Sequence, residues 1–149
     1  PNTPALVGEG MAALCANSYV TGEEKDEVRE IFESFGKAEF VAENMMDVVA
    51  GVSGSSPAYV YMFIEALADG AVLQGMPRQQ AYTFAAQAVL GSARMVLETG
   101  MHPGALKDMV CSPGGTTIEA VASLEQDGLR AAVIRAVDVC TEKSKAMSK

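Results

Sequence analysis

The chain has 149 residues, 19 acidic against 11 basic, a formal net charge of -8 and a pI near 4.6, and 49% of it is hydrophobic. That is enough apolar material for one packed domain, or one domain with a remnant of another. An acidic chain gains nothing from counterion release and is repelled by anionic lipid, which excludes nucleic acid and membrane surfaces as partners. The three cysteines, Cys15, Cys111 and Cys140, are odd in number and far apart. They suggest neither a disulfide framework nor a metal site, and they suit a reducing cytosol. The chain opens Pro1-Asn2-Thr3-Pro4 without an initiator Met and without a basic-then-apolar leader, and reads as a piece of a longer protein.

In chain order, Ala5-Leu6-Val7 and Met11 to Ala16 are short apolar runs around Gly8 and Gly10 and predict strands. Thr21 with Glu24 three residues on has the spacing of a capping box. The helix it starts places Val28, Ile31, Phe32 and Phe35 on one face and ends at Gly36. Ala38 to Ala42 predicts another strand. Three short strands and one helix cannot close a sheet, so residues 1–42 read as the end of an α/β domain. Beyond Glu43 the strand signals stop. Asn44 to Val52 predicts a short helix, and Ser53-Gly54-Ser55-Ser56-Pro57 a loop that caps the next one, with Pro57 in its first turn.

Ala58 to Gln74 is apolar on every side, the pattern of a helix buried on every side. Its length would suit a membrane span, but Glu65 and Asp69 in mid-helix count against that. Pro77 starts a helix to about Thr99, roughly 35 Å long at the usual rise. It is lined with the small residues Ala81, Ala85, Ala88, Gly91, Ser92 and Ala93, and it is broken by Gly100 and Pro103. Ala105 to Val110 is a short helix. Cys111 to Thr116 is a loop, and Thr117 to about Leu124 a further helix. After the turn Gln126-Asp127-Gly128, the last helix runs from Leu129 to Met147 and fades into a Lys-rich end. So many apolar helices exceed what one small bundle covers, which predicts an obligate oligomer sharing a core between chains. At about 25 cal/mol per Å2, an interface of roughly 2,000 Å2 or more would dominate its stability.

The stretch with most chemistry is Cys111-Ser112-Pro113-Gly114-Gly115-Thr116-Thr117-Ile118-Glu119. Pro113 fixes one φ, Gly114 and Gly115 permit tight turning, and Thr116 with Glu119 has capping-box spacing. A helix start with free N–H groups and several hydroxyls is a site for a carboxylate or phosphate; a plain glycine-rich turn is the alternative that local chemistry leaves open. Cys111 could be a nucleophile or a packing residue, and no histidine lies near it in sequence. His102 is read as a turn residue. Glu65 and Asp69, four apart, are either an acid/base pair or a polar seam facing another helix. The nine methionines fill gaps in a helical core, and Glu23, Glu24, Asp26, Glu27 and Glu30 form a solvated face.

The run from Pro103 through Leu106, then Val110-Cys111-Ser112-Pro113-Gly114-Gly115-Thr116-Thr117, Ala120-Val121 and Leu124-Glu125, resembles the signature of pyrroline-5-carboxylate reductases. Gly51 through Tyr59, Ala66 through Gly70, Gly75 through Arg78, and Asn2-Thr3-Pro4 resemble the same family at matching spacing. The resemblance therefore spans the chain. It implies a mainly α fold: a helical dimerisation and substrate-binding domain over 43–149, preceded over 1–42 by a small α/β remnant of a Rossmann-type domain. It implies reduction of L-pyrroline-5-carboxylate to L-proline with hydride from NADPH or NADH, and a homodimer of interleaved helices, with further assembly left open. By the same resemblance Thr117 is the catalytic residue beside the ring nitrogen, and Ser112, Gly114, Gly115, Thr116 and Thr117 hold the substrate. Glu43 and Met109 lie near the cofactor, Met109 standing where some relatives have an Asn. No G-x-G-x-x-G follows a strand, so the phosphate-binding half of a dinucleotide site is not expected on these residues. Two other readings remain at this stage. One is an oligomerisation module without chemistry of its own. The other is the C-terminal part of a related two-domain dehydrogenase, whose G-x-x-x-N-x-x-K pattern is not found here.

Overall fold

A computed structural model describes residues 1–148. The chain forms two compact units, one made of Pro1–Tyr59 together with the chain from Val133, the other of Val60–Ala132.

The first unit opens with a 3-10 turn, Thr3–Val7, and not with the strand that Ala5-Leu6-Val7 suggested. Pro4 sets a helical φ, Gly8 closes the turn at φ +77°, and Leu6 and Val7 stay 90% and 78% exposed. Strand β1 (Gly10–Leu14) then pairs in parallel with β2 (Gly36–Phe40), in the register Gly10 to Gly36 and Leu14 to Phe40. Helix α1 (Gly22–Glu33) makes the crossover. Its start is the capping box expected: the Thr21 hydroxyl accepts from the Glu24 amide at 3.2 Å, and a Glu24 carboxylate oxygen accepts from the Thr21 amide at 2.8 Å. Its end differs from expectation. The helix stops at Glu33, where Ser34 Oγ donates to the Ile31 carbonyl, and Gly36 opens β2. The glycine serves close approach there, since a Cβ on Gly36 would run into the backbone of Gly10. Ala12, Leu14 and Ala38 form a small core, with Phe32 and Phe40 packed on it; Ile31 points to solvent.

From Glu43 the unit is helical. A 3-10 turn (Glu43–Met45) leads into α2 (Met46–Val49), and α2 runs on into a π-turn over Ala50–Gly54. The predicted loop 53–57 is thus replaced by continuous helical backbone with Ser55 as a single bend before α3 (Ser56–Leu73). The Ser55 amide reaches back five residues to the Ala50 carbonyl at 2.8 Å. Gly51 permits this, because a Cβ there would stand 2.8 Å from Thr141 Oγ1 and 2.9 Å from the Val137 carbonyl of α7 (Leu129–Met147). Side-chain bonds hold α7 on this segment: Ser144 Oγ donates to Asp47 at 2.6 Å, and Cys140 Sγ reaches Ser55 Oγ at 3.1 Å and the Ala50 carbonyl at 3.9 Å. Desolvation beside Cys140 pushes the Tyr59 phenol above its ordinary value.

The second unit holds most of α3, then α4 (Arg78–Thr99), α5 (Pro103–Val110) and α6 (Thr116–Gln126). Gly75 (φ +95°) and Gly100 (φ +64°) close α3 and α4, as the sequence predicts. The core between α3 and α4 is built on alanines: Ala68, Ala81 and Ala85 are buried, with Ile64, Ala71, Val72 and Met76 against them. Small residues there let the two backbones approach. The remaining apolar faces lie open: Tyr61, Met62, Phe63 and Leu67 on α3 and Phe84, Leu90, Met95 and Leu97 on α4 are all well exposed. No helix among the described residues is long and apolar enough to cross a membrane.

Candidate functional site

The segment between α5 and α6 is shaped by two local rules. His102, the chain's one histidine, caps α5 by accepting the Gly104 amide on Nδ1 at 3.0 Å, and Pro103 fills the first helical position. Cys111 ends α5, half-buried, with its amide shared between the Lys107 and Asp108 carbonyls. The chain then reverses in a tight turn. The Gly115 amide donates to the Ser112 carbonyl at 3.0 Å, Pro113 holds the second position, and Gly114 the third at φ +65°. Proline followed by a left-handed glycine is the type II signature.

Gly115, and not Thr116, is the N-cap of α6, with extended φ -83° and ψ 171° and no side-chain cap bond. The capping box expected of Thr116 and Glu119 does not form. The turn delivers the chain into the helix one residue early, so Thr116 is already helical and its hydroxyl cannot fold back onto the residue 119 amide. That amide goes instead to the Gly115 carbonyl at 3.5 Å. The first amides of α6 are left without a side-chain acceptor, at the positive end of the helix.

The turn brings Ser112, Gly114, Gly115, Thr116 and Thr117 together. Among the described residues the hydroxyls of Ser112, Thr116 and Thr117 have no hydrogen-bond partner. Thr117 and Gly115 are half-buried, and Ser112 and Thr116 are exposed. A Cβ on Gly115 would collide with Ser112 Oγ, so that hydroxyl sits directly over the helix start. Free N–H groups, free hydroxyls and helix dipole on one small surface have the chemistry to receive a carboxylate and to offer an O–H to a second atom of the same ligand.

The remaining candidates lie elsewhere. Met109, 69% exposed, lines an apolar hollow of about 370 Å3 between α4 and α5, with Met95, Leu106 and Val110. Lys107 borders that hollow, and its hydrogen bond to Asp108 raises its pKa. Glu43 is exposed in the first turn of the 3-10 segment and belongs to the other compact unit. Asp69 is held by Arg78 of α4, which also stacks on Tyr82 at 5.5 Å. That is the polar seam between helices, not an acid/base pair with Glu65. The helix start that follows β1 offers nothing to a dinucleotide's phosphates. The Thr21–Glu24 box occupies the N-terminus of α1, and a carboxylate stands where phosphate oxygens would go.

The family model described as pyrroline-5-carboxylate reductase dimerisation matches residues 43–147. The pyrroline-5-carboxylate reductase of Escherichia coli is 68% identical over all 149 residues, and the chain spans 55% of that relative's length. A solved pyrroline-5-carboxylate reductase from Coxiella burnetii covers the whole chain at 37% identity and a TM-score of 0.96, with 56% of its own length matched. A Plasmodium falciparum pyrroline carboxylate reductase with NADP bound covers it at 41% identity and a TM-score of 0.92, with 60% of its own length matched.

Proposed function

Because the chain belongs to the pyrroline-5-carboxylate reductase dimerisation family, we propose that it supplies the substrate site and the dimer interface of an enzyme that reduces L-pyrroline-5-carboxylate to L-proline. The observation that carries the reading is the capless helix start at Gly115–Thr117, an anion site built by the same residues whose pattern marks the family. In this reading residues 1–42 close a Rossmann-type domain and 43–149 form the helical domain. The start of the family match at residue 43 supports that boundary.

The amides and hydroxyls of Ser112, Gly114, Gly115 and Thr116 receive the substrate carboxylate, and this fixes the ring above Thr117. Reduced nicotinamide, NADPH or NADH, supplies hydride to the C=N bond. Its phosphates find the start of α1 already occupied by the Thr21–Glu24 box, and we assign them to the part of the relatives' length that the chain does not span. Glu43 and Met109, both exposed, are proposed to border the cofactor. As the C=N bond is reduced, electron density collects on the ring nitrogen, and the Thr117 hydroxyl, which has no partner among the described residues, is free to donate to it. The open apolar faces of α3 and α4 support a homodimer through shared helices, since a monomer leaves them in water. Three unpaired cysteines suit a reducing compartment such as the cytosol.

The test is direct. The full-length protein should consume NADPH or NADH only when L-pyrroline-5-carboxylate is added, with proline as the product. The 149-residue chain alone should show no NADPH binding by calorimetry at micromolar concentrations. Micromolar affinity for the chain alone would contradict the proposed division of labour.

A further inference from the structure

The carboxamide of Asn2 is engaged at both ends. Its Oδ1 accepts the Met11 amide at 2.8 Å, and its Nδ2 donates to the Ser53 carbonyl at 2.9 Å, across 51 residues of sequence. The Ser53 carbonyl lacks its regular mate for a reason written in the chain. In a regular helix the carbonyl of residue 53 takes the amide of residue 57, and Pro57 has none. In β1 the Gly10 amide and the Leu14 carbonyl bond toward β2, through Phe35 and Val41. Alternate residues of a strand point oppositely, so the Met11 amide faces away from β2, toward Asn2. A partly buried amide or carbonyl left unpaired is destabilising, and one side chain here satisfies both.

We propose that Asn2 is a positioning residue, a clamp between the Met11 amide of β1 and the π-turn before α3, made necessary by Pro57. It sets the path by which the chain leaves the sheet for the helices. The clamp rests on geometry. Its catalytic consequence rests on the reductase reading, in which hydride donor and substrate carboxylate are held by parts of the protein that this junction connects. Loosening the junction then lowers kcat and leaves KM for pyrroline-5-carboxylate nearly unchanged, because the carboxylate cradle at Ser112–Thr117 is untouched.

The experiment compares the full-length protein with Asn2→Ala, Pro57→Ala and the double variant. Three readouts are used: hydrogen exchange of the peptide containing Met11, thermal unfolding, and steady-state kinetics. In Asn2→Ala the Met11 segment should exchange about tenfold faster, the scale of one lost hydrogen bond. The Tm should fall by about 2–4 °C. Pro57→Ala provides an amide for the Ser53 carbonyl, so in that background the Tm loss from Asn2→Ala should shrink by about half. If Asn2→Ala alone does not fold, recovery of folded protein in the double variant reports the same coupling. Unchanged exchange at Met11, or Tm losses that simply add, would overturn the clamp. A wild-type protein inactive on pyrroline-5-carboxylate would overturn the reductase reading instead, and exchange and coupling would still decide the clamp.

Discussion

Replacing Thr117 by Ala removes a hydroxyl with no partner among the described residues, together with one methyl of a half-buried side chain. Among the described residues the hydroxyl accepts and donates no bond, the residue is the second of α6, and Gly115 holds the cap. The backbone amide that faces a bound carboxylate stays in position, and alanine favours helix slightly over threonine. Stability should therefore change by less than about 0.5 kcal/mol. KM for pyrroline-5-carboxylate should rise only modestly, and kcat should fall roughly 100-fold, about 2.7 kcal/mol of transition-state stabilisation, the low end for losing one proton donor. Thr116→Ala is the control. Since Thr116 is not the cap, it too should unfold at the wild-type temperature. As the exposed contact to the carboxylate that we propose, it should raise KM and leave kcat close to wild type. Steady-state kinetics of the full-length protein at saturating substrate, with melting curves for both variants, separates the two. A Thr117→Ala enzyme turning over at the wild-type rate would refute the assignment and leave the proton to water. A loss of several degrees in Thr116→Ala would show that its hydroxyl carries structure after all.

The glycines of the turn should behave differently from each other. Gly114→Ala has open space around its new Cβ but sits at φ +65°, so it should cost about 1–2 kcal/mol in Tm measurements through backbone strain alone. Gly115→Ala drives a Cβ into Ser112 Oγ, so it should raise KM about tenfold or more as that hydroxyl is displaced. Gly91 has open space around an added Cβ among the described residues, so Gly91→Leu should leave the fold intact and weaken dimers in sedimentation; an unchanged dimer would place the interface elsewhere. At α1, the bonds from the Thr21 amide and hydroxyl hold the Glu24 carboxyl below its usual value of 4.5. A depressed folded-state pKa stabilises above the unfolded value and the benefit disappears as pH falls through the folded one. The Tm cost of Thr21→Ala should accordingly be present at pH 7 and shrink by pH 3.

Where a signal is local and self-sufficient, the chain is legible from its letters. Gly100 followed by Pro103, Gly75 followed by Pro77, and Thr21 with Glu24 each state a helix end by conformational preference alone, and the structure has all of them. Where the outcome depends on distant partners, the letters mislead. Ser53-Gly54-Ser55-Ser56-Pro57 has loop composition, yet it continues a helix because Gly51 admits α7 and Asn2 takes the carbonyl that Pro57 abandons. Ala5-Leu6-Val7 has strand composition, yet Pro4 and Gly8 bend it into a single turn with no strand beside it.

The same four-residue pattern, Thr-x-x-Glu, occurs at Thr21 and at Thr116 and has two different outcomes. At Thr21 an extended residue precedes the helix, and the side chains of Thr21 and Glu24 absorb the free amides. At Thr116 the turn through Pro113 and Gly114 makes Gly115 the extended residue, and a glycine has no side chain to offer. The helix that would be more stable with a cap is left without one. An unsatisfied helix start beside three idle hydroxyls is costly in a protein that only needs to fold, and useful in one that must receive an anion. The departure from the local rule at Thr116 therefore marks the candidate site more sharply than the glycines do, and it became visible only once the backbone on either side of Gly115 was known.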